Sequence, residues 1–416
     1  MRFLLLCSIL LYSYCIAAPI MAKTYAVGPA RAHPSLKPLL PQLKPGDVVE
    51  IDPGVYRQVM KIDTDGAPGQ PIIIRGVGDE RPVFDAENLT VSGAGAIPRA
   101  IFQIEGAYIV IENLEFKNAR NGNNGAGIRL NSSTNAVIRN CSIHHCDMGI
   151  QGGDAETALI EKCDIAFNGS IEHNGYSHNF YMMGNRVVVR HCYIHDSLYG
   201  QNYKSRAHYN ELWFNWIENS NEGEVGPVDG AGQTDRPDSH TLMVGNVIIS
   251  KPNRTGNSAK YVLMGSESGG SHNGTLFMFY NILLAGSPKV KFIQLDDPKT
   301  NAQIHYNVFW GSDQILVNHK NSKIVAGGHN WLPGGAQIPA GFMDSYSGGD
   351  PGFVNQEEND FRLTPDSPLF DPPATVIEYI DGDGVGQSAE IDQDYLLSVR
   401  QFQNILAKVS DYRLHE

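Results

Sequence analysis

After its first 22 residues the chain has no apolar run long enough to cross a bilayer. It is also poor in positive charge, because 32 Lys and Arg stand against 45 Asp and Glu, for a formal net charge of −13. An acidic excess of this size argues against nucleic acid and against an anionic membrane surface as partners. A polyanionic sugar stays compatible with it, provided that the binding groove is locally basic.

The first 22 residues, MRFLLLCSILLYSYCIAAPIMA, have the layout of a signal peptide, with one Arg, an apolar run and then small residues. We therefore expect residues 1–22 to be removed and the remaining protein to be secreted or periplasmic. Two of the six cysteines, Cys7 and Cys15, would leave with this segment. The cysteines that remain are too few for a disulfide scaffold in so long a chain.

Helical periodicity is nearly absent before the last thirty residues, roughly counted, whereas 43 Gly and many short Val and Ile runs indicate tight turns and short strands. A pattern of the form apolar-x-x-(Cys, Leu, Asn, Val or Ile)-x-apolar recurs along the chain. Its middle positions are Leu114, Cys141, Cys163, Cys192, Asn215, Val247, Ile282 and Asn307. A repeat of roughly 25 residues with loops of variable length predicts the coils of a parallel β-helix.

Stacking explains why such a repeat folds: each short strand hides one face, and only stacked coils build a continuous core. We predict an all-β protein, a single-stranded right-handed parallel β-helix over residues 23–385. A short amphipathic, helical C-terminal segment is predicted over residues 386–416. Cys141, Cys163 and Cys192 are expected to form an inward stack of small buried side chains rather than a metal or redox site.

The outward side chains of the second strand in each coil follow from alternation, since inward apolar residues identify their outward neighbours. In GIRLN, for example, Ile128 and Leu130 point inward, so their neighbours point outward. The predicted outward row is Arg129, Asn131, Gln151, Asn179, Tyr181, Asn202, Lys204 and Arg206. Such a row of cations, amides and a phenol can grip an extended polysaccharide.

Two long inserts, at 166–178 and 250–260, are predicted to wall a cleft beside this row, and the second adds Lys251 and Arg254. Three histidines lie close to the row: His178, His195 and His208. Each can exchange a proton near neutral pH, and each can equally be a turn residue that is bonded to the backbone.

The segment LKPGDVVEIDPGVYRQVMKIDTDGAPGQPIIIRG (43–76) resembles the opening coils of polysaccharide lyases of the chondroitinase B and alginate lyase type, in the pectate-lyase-like superfamily. DPGFVNQEENDFRLTPDSPLFD (350–371) resembles the closing segment of secreted β-helix proteins, and Lys204-Ser205 resembles the segment that carries the family's base. The resemblance implies β-elimination with Lys204 as base. The family's acidic calcium pair has no counterpart in HDSLYGQNY, so we assign no metal ligands and leave Ca²⁺ open as a cofactor.

Eliminative cleavage of a uronic-acid polymer needs a group that neutralises the carboxylate, a base for the C5 proton and an acid for the leaving oxygen. The candidate catalytic residues are Lys204, Arg206, Tyr181, His178 and His195. The candidate substrate-binding residues are Asn179, Asn202, His208, Arg129, Asn131, Gln151, Lys251 and Arg254. We thus expect a monomeric lyase whose partner is an acidic polysaccharide.

Two other functions stay open from the sequence. The segment 221–240 holds Glu222, Glu224, Asp229, Asp235 and Asp238, and two of its carboxylates in 222–238 could form the acid/base pair of a glycoside hydrolase. A non-catalytic carbohydrate-binding protein would need only the outward row and the aromatic residues.

Overall fold

The computed structural model describes residues 22–250, 260–318, 323–367, 369, 375–380 and 386–391. These residues form strands and turns, together with two short 3-10 helices at Leu40–Gln42 and Ile171–His173. No helix in these ranges is both long and apolar enough to cross a membrane. The parallel strands stack as the coils of a right-handed β-helix, as the repeat predicts.

Each coil contributes short strands to three faces, and each strand pairs in parallel with strands of the coils above and below. The first face comprises Met60–Ile62, Ala100–Ile104, Ala126–Asn131, Met148–Gly153, Val225–Pro227, Lys260–Gly265, Lys291–Asp296 and Gln314–Asn318. The second face comprises Thr24–Val27, Val48–Ile51, Ile72–Gly76, Ile109–Glu112, Ala136–Arg139, Ala155–Glu161, Thr241–Val244, Thr275–Phe279, Asn301–His305, Lys323–Gly328 and Phe342–Met343. Two longer strands, Phe180–Arg190 and Tyr203–Trp213, run through the corner and belong to both faces.

The third face is built from strands of two or three residues. They are Val55–Tyr56, Val83–Asp85, Glu115–Lys117, Ser142–His144, Asp164–Ala166, Tyr193–His195, Trp216–Glu218, Val247–Ile249, Ile282–Leu284, Val308–Trp310, Trp331–Pro333 and Tyr346–Gly348. Two antiparallel hairpins follow the stack, Phe353–Asn355 with Asp360–Leu363, and Thr375–Ile380 with Gly386–Ile391.

The repeated sequence pattern is the corner between the second and third faces. In one coil, Ile138 is the last inward residue of the second-face strand Ala136–Arg139, and Asn140 turns the chain with φ +50°. Cys141 then points into the core before Ile143 on the third face. A left-handed residue lets the chain turn sharply within one position, and Asn tolerates that conformation better than most residues. The equivalent residues of neighbouring coils are Asn113, Lys162, His191 and Phe214, all with positive φ.

The corner residues that point inward form one continuous hydrogen-bonded ladder. The Cys192 amide donates to Asn215 Oδ1 at 3.0 Å, and the amide of Cys163 contacts Cys192 Sγ at 3.5 Å. The ladder continues through Asn246, Asn281, Asn307 and Asn330. The predicted inward cysteine stack is therefore confirmed, and its thiols are free and buried.

The repeat predicted from the sequence is shifted by one residue in two coils. The ladder residues are Asn246 and Asn281, whereas Val247 and Ile282 already begin third-face strands. In these coils the side-chain amides of Asn246 and Asn281 bond backbone groups inside the corner. Val247 instead belongs to an apolar cluster that also contains Phe353 and Phe361 of the first hairpin.

A second row of inward side chains runs along the first face. Its members are Phe102, Ile128, Ile150, Phe180, Tyr203, Val225, Val262 and Ile293, each the register partner of the next. All are buried, so the predicted alternation of these strands is confirmed. Stacking like positions at roughly 4.8 Å lets each coil cover the apolar face of its neighbour.

The C-terminal prediction needs a correction at its start. Residues Gly386–Ile391, predicted to open a helical segment, form a strand that pairs antiparallel with Thr375–Ile380. The partner sequence TVIEYI is rich in β-branched and aromatic residues, which favour strands. The remainder of the predicted helical segment, 392–416, and residues 1–21 of the predicted signal peptide lie outside the described residues.

Candidate active site

A cleft of about 610 Å³ opens on the outer surface of the first face, beside the insert that contains Ile171–His173. Residues of successive coils, from that of Gln151 to that of Lys260, and of the loop after Lys260–Gly265 line it. The polar side chains that matter for chemistry are Gln151, His178, Tyr181, Lys204, Arg206, Glu222 and Glu267.

Sheet register places four of the predicted residues in one outward row. Arg129 pairs with Gln151, Gln151 with Tyr181, and Tyr181 with Lys204. The last three line the cleft, whereas Arg129 lies beyond its edge, bonded to Gln151 and to Asn131 Oδ1 at 3.1 Å. Burial and the nearby charge of Arg99 lower the pKa of Arg129. Asn131, predicted to bind substrate, serves here to hold an arginine.

Lys204 and Arg206 converge on one carboxylate oxygen. Lys204 Nζ lies 2.5 Å from Glu267 Oε2, and Arg206 Nη2 lies 3.2 Å from the same oxygen. The lysine side chain is 6% exposed and that of Arg206 is 17% exposed, whereas Glu267 is 31% exposed. Two nearly buried cations therefore hold a carboxylate that faces the cleft.

Tyr181 joins this cluster through Arg206. The guanidinium donates from Nε to the Tyr181 hydroxyl oxygen at 3.0 Å, and from Nη1 to the Asp229 carbonyl. The arginine is thus held in place on two sides, and its Nη2 points toward Glu267. Positive charge lies directly beside a phenolic oxygen at the cleft surface.

His178 is buried behind Tyr181, with ring centroids 5.6 Å apart. Its Nδ1 accepts the Gln201 amide at 2.9 Å, so the neutral ring carries its proton on Nε2. Burial, followed by the charges of Lys204 and Arg206, lowers the pKa of His178 well below its usual value. The ring is therefore a neutral hydrogen-bond donor near neutral pH.

Glu222 is the second carboxylate of the cleft. Burial raises its pKa; the charge of Lys204 opposes this shift, and the charge of Glu267 adds to it. Lys260, at the start of the next first-face strand, also lines the cleft. The cleft thus combines three cations with two carboxylates, one of which holds its proton to higher pH than usual.

Asn179 and Asn202 are not surface residues, contrary to the sequence prediction. Asn179 Nδ2 donates to Asn202 Oδ1 at 2.8 Å, and Asn202 Nδ2 donates to Glu224 Oε2 at 2.7 Å. Both asparagines are fully buried at the corner that precedes the strand. They form a second internal ladder, which satisfies backbone carbonyls such as that of His195.

Two predicted histidines also lie away from the cleft lining. His195 is on the third face, where Nδ1 contacts Asp196 at 2.8 Å and Nε2 contacts Asp164 at 3.1 Å. Burial lowers its pKa, but these carboxylates outweigh burial and raise it to about 9. His208 follows Arg206 on the same strand, yet its Nδ1 contacts the Gln233 carbonyl at 3.2 Å beneath the loop after Val225–Pro227.

The remaining predicted residues divide as follows. Lys251 and Arg254 lie outside the described residues. Among the carboxylates of 222–238, Glu224 caps the buried asparagine ladder, and Asp229 accepts three backbone amides of the 267–270 turn. Asp235 and Asp238 are exposed and outside the cleft lining.

Glu267 was missed from the sequence. It follows the first-face strand Lys260–Gly265 in the glycine-rich stretch GSESGGSHNG, where acidic residues usually form turns. Its position just past a first-face strand is the one signal that could have pointed to it. In the part of the chain that the structure describes, no group of three or more His, Cys, Asp or Glu side chains could hold a metal ion.

A family model described as a right-handed β-helix region matches residues 72–234, and no curated protein sequence matches the chain. An alginate lyase from Paenibacillus sp. str. FPU-7 is similar in structure, with TM-score 0.52, 15% identity, and coverage of 73% of this chain and 99% of that one.

Two further structures share the architecture. A rhamnogalacturonan lyase has TM-score 0.59 and 14% identity, over 91% of this chain and 98% of its own. A glycoside hydrolase has TM-score 0.53 and 8% identity, over 73% of this chain and 97% of its own. The chain thus has the fold of carbohydrate-active β-helix enzymes, and that fold hosts more than one reaction class.

Proposed function

We propose that this protein cleaves a uronic-acid-containing polysaccharide by β-elimination in the cleft of the first face. The observation that carries the proposal is the cluster of Lys204, Arg206 and Tyr181. Two cations there bind one carboxylate oxygen beside a phenolic oxygen. The cleft is open to solvent along the helix surface, as an extended polymer requires.

The first task of such a site is to neutralise the substrate's carboxylate. With this carboxylate between Lys204 Nζ and Arg206 Nη2, the negative charge that develops when C5 loses its proton is stabilised by two fixed cations. Such preorganised charges are already in place when the negative charge develops, so no reorganisation is needed at that moment. Gln151 and the Nε2–H of His178 supply hydrogen bonds to neighbouring sugar oxygens.

The second task is proton transfer, which we assign to Tyr181. As the phenolate, its oxygen takes the C5 proton, the C5–H electron pair forms the C4–C5 double bond, and the C4–O bond breaks toward the leaving oxygen. Tyr181 then returns the proton to that oxygen, so the phenolate is regenerated. The Arg206 Nε–H, which points at the Tyr181 oxygen at 3.0 Å, keeps positive charge beside it throughout.

This assignment changes the role predicted for Lys204. Lys204 Nζ contacts a carboxylate oxygen at 2.5 Å, so we assign it to bind the substrate's carboxylate rather than to remove the C5 proton. His195, predicted as catalytic, has no part in the proposed reaction, because it lies on another face.

The test is a panel of polysaccharides that includes polygalacturonate, alginate and chondroitin sulfate, followed by the ultraviolet absorbance of unsaturated uronates. We expect new absorbance with at least one acidic polymer and none with its carboxyl-reduced form. Lys61→Ala is the matched control for Lys204→Ala and should keep wild-type activity, because Lys61 lies in the same outward row but outside the cleft lining. Reducing ends without absorbance would contradict the proposal.

A glycoside hydrolase is the second candidate, on one specific observation. Glu222 and Glu267 both line the cleft, and the pKa of Glu222 is raised by burial and by the charge of Glu267, as a general acid requires. For a hydrolase, Glu222→Gln abolishes the release of reducing ends. For the proposed lyase, Tyr181→Phe lowers the rate of product formation far more than Glu222→Gln does.

The location of the protein and its oligomeric state are also part of the proposal. We propose that residues 1–22 direct export and that the mature chain acts as a monomer on polymers outside the cytoplasm. Cell fractionation, N-terminal sequencing of the exported protein and its sedimentation equilibrium test this. A mature protein that still begins at Met1 would contradict the export.

A further inference from the structure

Glu267 lies where the proposed reaction requires a carboxylate from the substrate. We infer that the Glu267 side chain occupies the subsite for the substrate's carboxylate and that an acidic sugar displaces it on binding. The inference rests on the proposed function, and it adds a residue that sets affinity and selectivity for acidic sugars. Glu267 Oε2 is 2.5 Å from Lys204 Nζ and 3.2 Å from Arg206 Nη2, which is the contact expected of a uronate.

The donors of Arg206 explain why the subsite is at this point. Its Nε donates to Tyr181 and its Nη1 to the Asp229 carbonyl, so Nη2 is the nitrogen that faces the cleft. That nitrogen contacts Glu267 and also the Ser268 hydroxyl at 3.0 Å. A carboxylate that enters from the cleft therefore finds Lys204 Nζ and Arg206 Nη2 together in the place that Glu267 now occupies.

The backbone that carries Glu267 is fixed from behind. Buried Asp229 accepts the amides of Glu267 at 2.5 Å, Ser268 at 2.9 Å and Gly270 at 2.8 Å. A Cβ at Gly270 would come within 2.6 Å of Asp229 Oδ2, so the turn depends on a glycine at that position. Exchange of carboxylates then needs rotation of one partly exposed side chain and no movement of the loop.

Exchange of one carboxylate for another provides selectivity. A neutral sugar that displaced Glu267 would take from Lys204 and Arg206 the carboxylate that they share, and it would leave Arg206 with Asp229, whose Oδ1 is 3.8 Å from Nη1. Loss of that shared charge is costly for side chains with little exposure. An acidic sugar replaces that charge in the same position. Glu267 also competes with the bound ligand, and it therefore weakens binding of substrate and product alike.

The experiment measures dissociation constants of the wild type and Glu267→Gln by calorimetry. The probes are oligogalacturonate, oligomannuronate and oligoguluronate, each with its carboxyl-reduced counterpart. We expect Glu267→Gln to bind at least one acidic oligomer at least about tenfold more tightly, since a competing charge is removed from a cationic pair. The reduced oligomers should show no gain. Glu105→Gln is the matched control, because Glu105 pairs with Lys61 at 3.8 Å outside the cleft and should change nothing.

Unchanged or weaker binding of the acidic oligomers by folded Glu267→Gln would overturn the inference, as would the absence of binding to any probe. If Glu267→Gln does not fold, Glu267→Asp replaces it, because the shorter side chain withdraws the carboxylate from Lys204 and Arg206. A gain in affinity without unsaturated product from any variant would reject the lyase and keep the subsite. Product from the wild type without a gain in affinity would reject the subsite alone.

Discussion

A cluster on the third face and a cluster on the first face each bury a basic side chain against carboxylate oxygen, and they differ in whether they line the cleft. On the third face, His195 is held between Asp164 and Asp196, and its ring stacks on Tyr193 with centroids 3.8 Å apart. Both ring nitrogens are engaged and the side chain is 5% exposed. Asp164 is 34% exposed, about as much as Glu267, but neither Asp164 nor Asp196 lines the cleft of the first face, so a substrate bound in that cleft does not reach them.

The cluster of the first face uses similar groups, and its members line the cleft. Lys204 and Arg206 are nearly buried, but the carboxylate that pairs with them is partly exposed and lies on a turn at the cleft. The comparison teaches that a buried ion pair is a functional candidate when one of its members can be exchanged for a ligand. The sequence alone placed both His195 and Lys204 among the candidate catalytic residues, because a sequence shows residue types but not whether a ligand can reach them.

The largest effect should come from Tyr181→Phe. Removal of the hydroxyl removes the proposed base, so kcat should fall by the ~10²–10⁴ typical of a lost general acid–base group. The melting temperature should hardly change, because the ring stays in place beside His178. Initial rates of unsaturated product measure the effect, and Tyr346→Phe, on a distant third-face strand, is the control. Turnover near the wild-type value would reject the proton-transfer role.

Lys204 should show a smaller and graded effect. Lys204→Ala removes half of the carboxylate clamp and should lower kcat/KM by roughly 10²-fold, within the cost of losing one partner of a charged hydrogen-bonded pair. Lys204→Arg keeps the charge and should retain part of the activity. A catalytic base would behave differently, because a guanidinium stays protonated, and complete inactivity of folded Lys204→Arg would restore the base role.

The His195 cluster of the third face should affect stability rather than activity. The folded pKa of His195, about 9, lies above its ordinary value of 6.5, so the protonated form stabilises the fold. This stabilisation, up to about 3 kcal/mol, is fully present below pH 6.5 and is lost as the pH rises through 9.

Asp164→Asn should therefore lower the free energy of unfolding at pH 6 and reduce its decline toward pH 10, with little change in kcat. Denaturant unfolding across this pH range measures it. Asp79→Asn, a matched change at an exposed position, is the control. Equal pH dependence in the wild type and Asp164→Asn would show that His195 does not contribute in this way.

Chelation should have the smallest effect. Lys204 and Arg206 supply the positive charge that Ca²⁺ would otherwise bring to the substrate's carboxylate. We expect activity to change by less than about twofold after EDTA treatment, well below the effect of losing a catalytic charge. Loss of activity that Ca²⁺ restores would contradict this expectation and direct attention to Glu222 and Glu267 as ligands.

Much of the fold could be predicted from the sequence, because a strand with one apolar side has few ways to bury it. The repeated corner pattern, ending at residues such as Ile143, set the coil length, and alternation placed Tyr181, Lys204 and Arg206 outward. The same alternation failed at Asn179 and Asn202, which lie just before their strands begin. There the corner, not the strand, decides the direction of the side chain, and an amide satisfies buried backbone groups that no local pattern reveals.

The sequence by itself determined the parallel β-helix and the outward positions of the central cations, since both follow from local periodicity. Only the tertiary structure decided which charges meet. Glu267 comes 63 residues after Lys204, and it reaches the lysine because coils stacked in register bring the turn after Lys260–Gly265 against the strand Tyr203–Trp213. His195 lies on another face because its strand, Tyr193–His195, follows the corner that turns the chain into the third face.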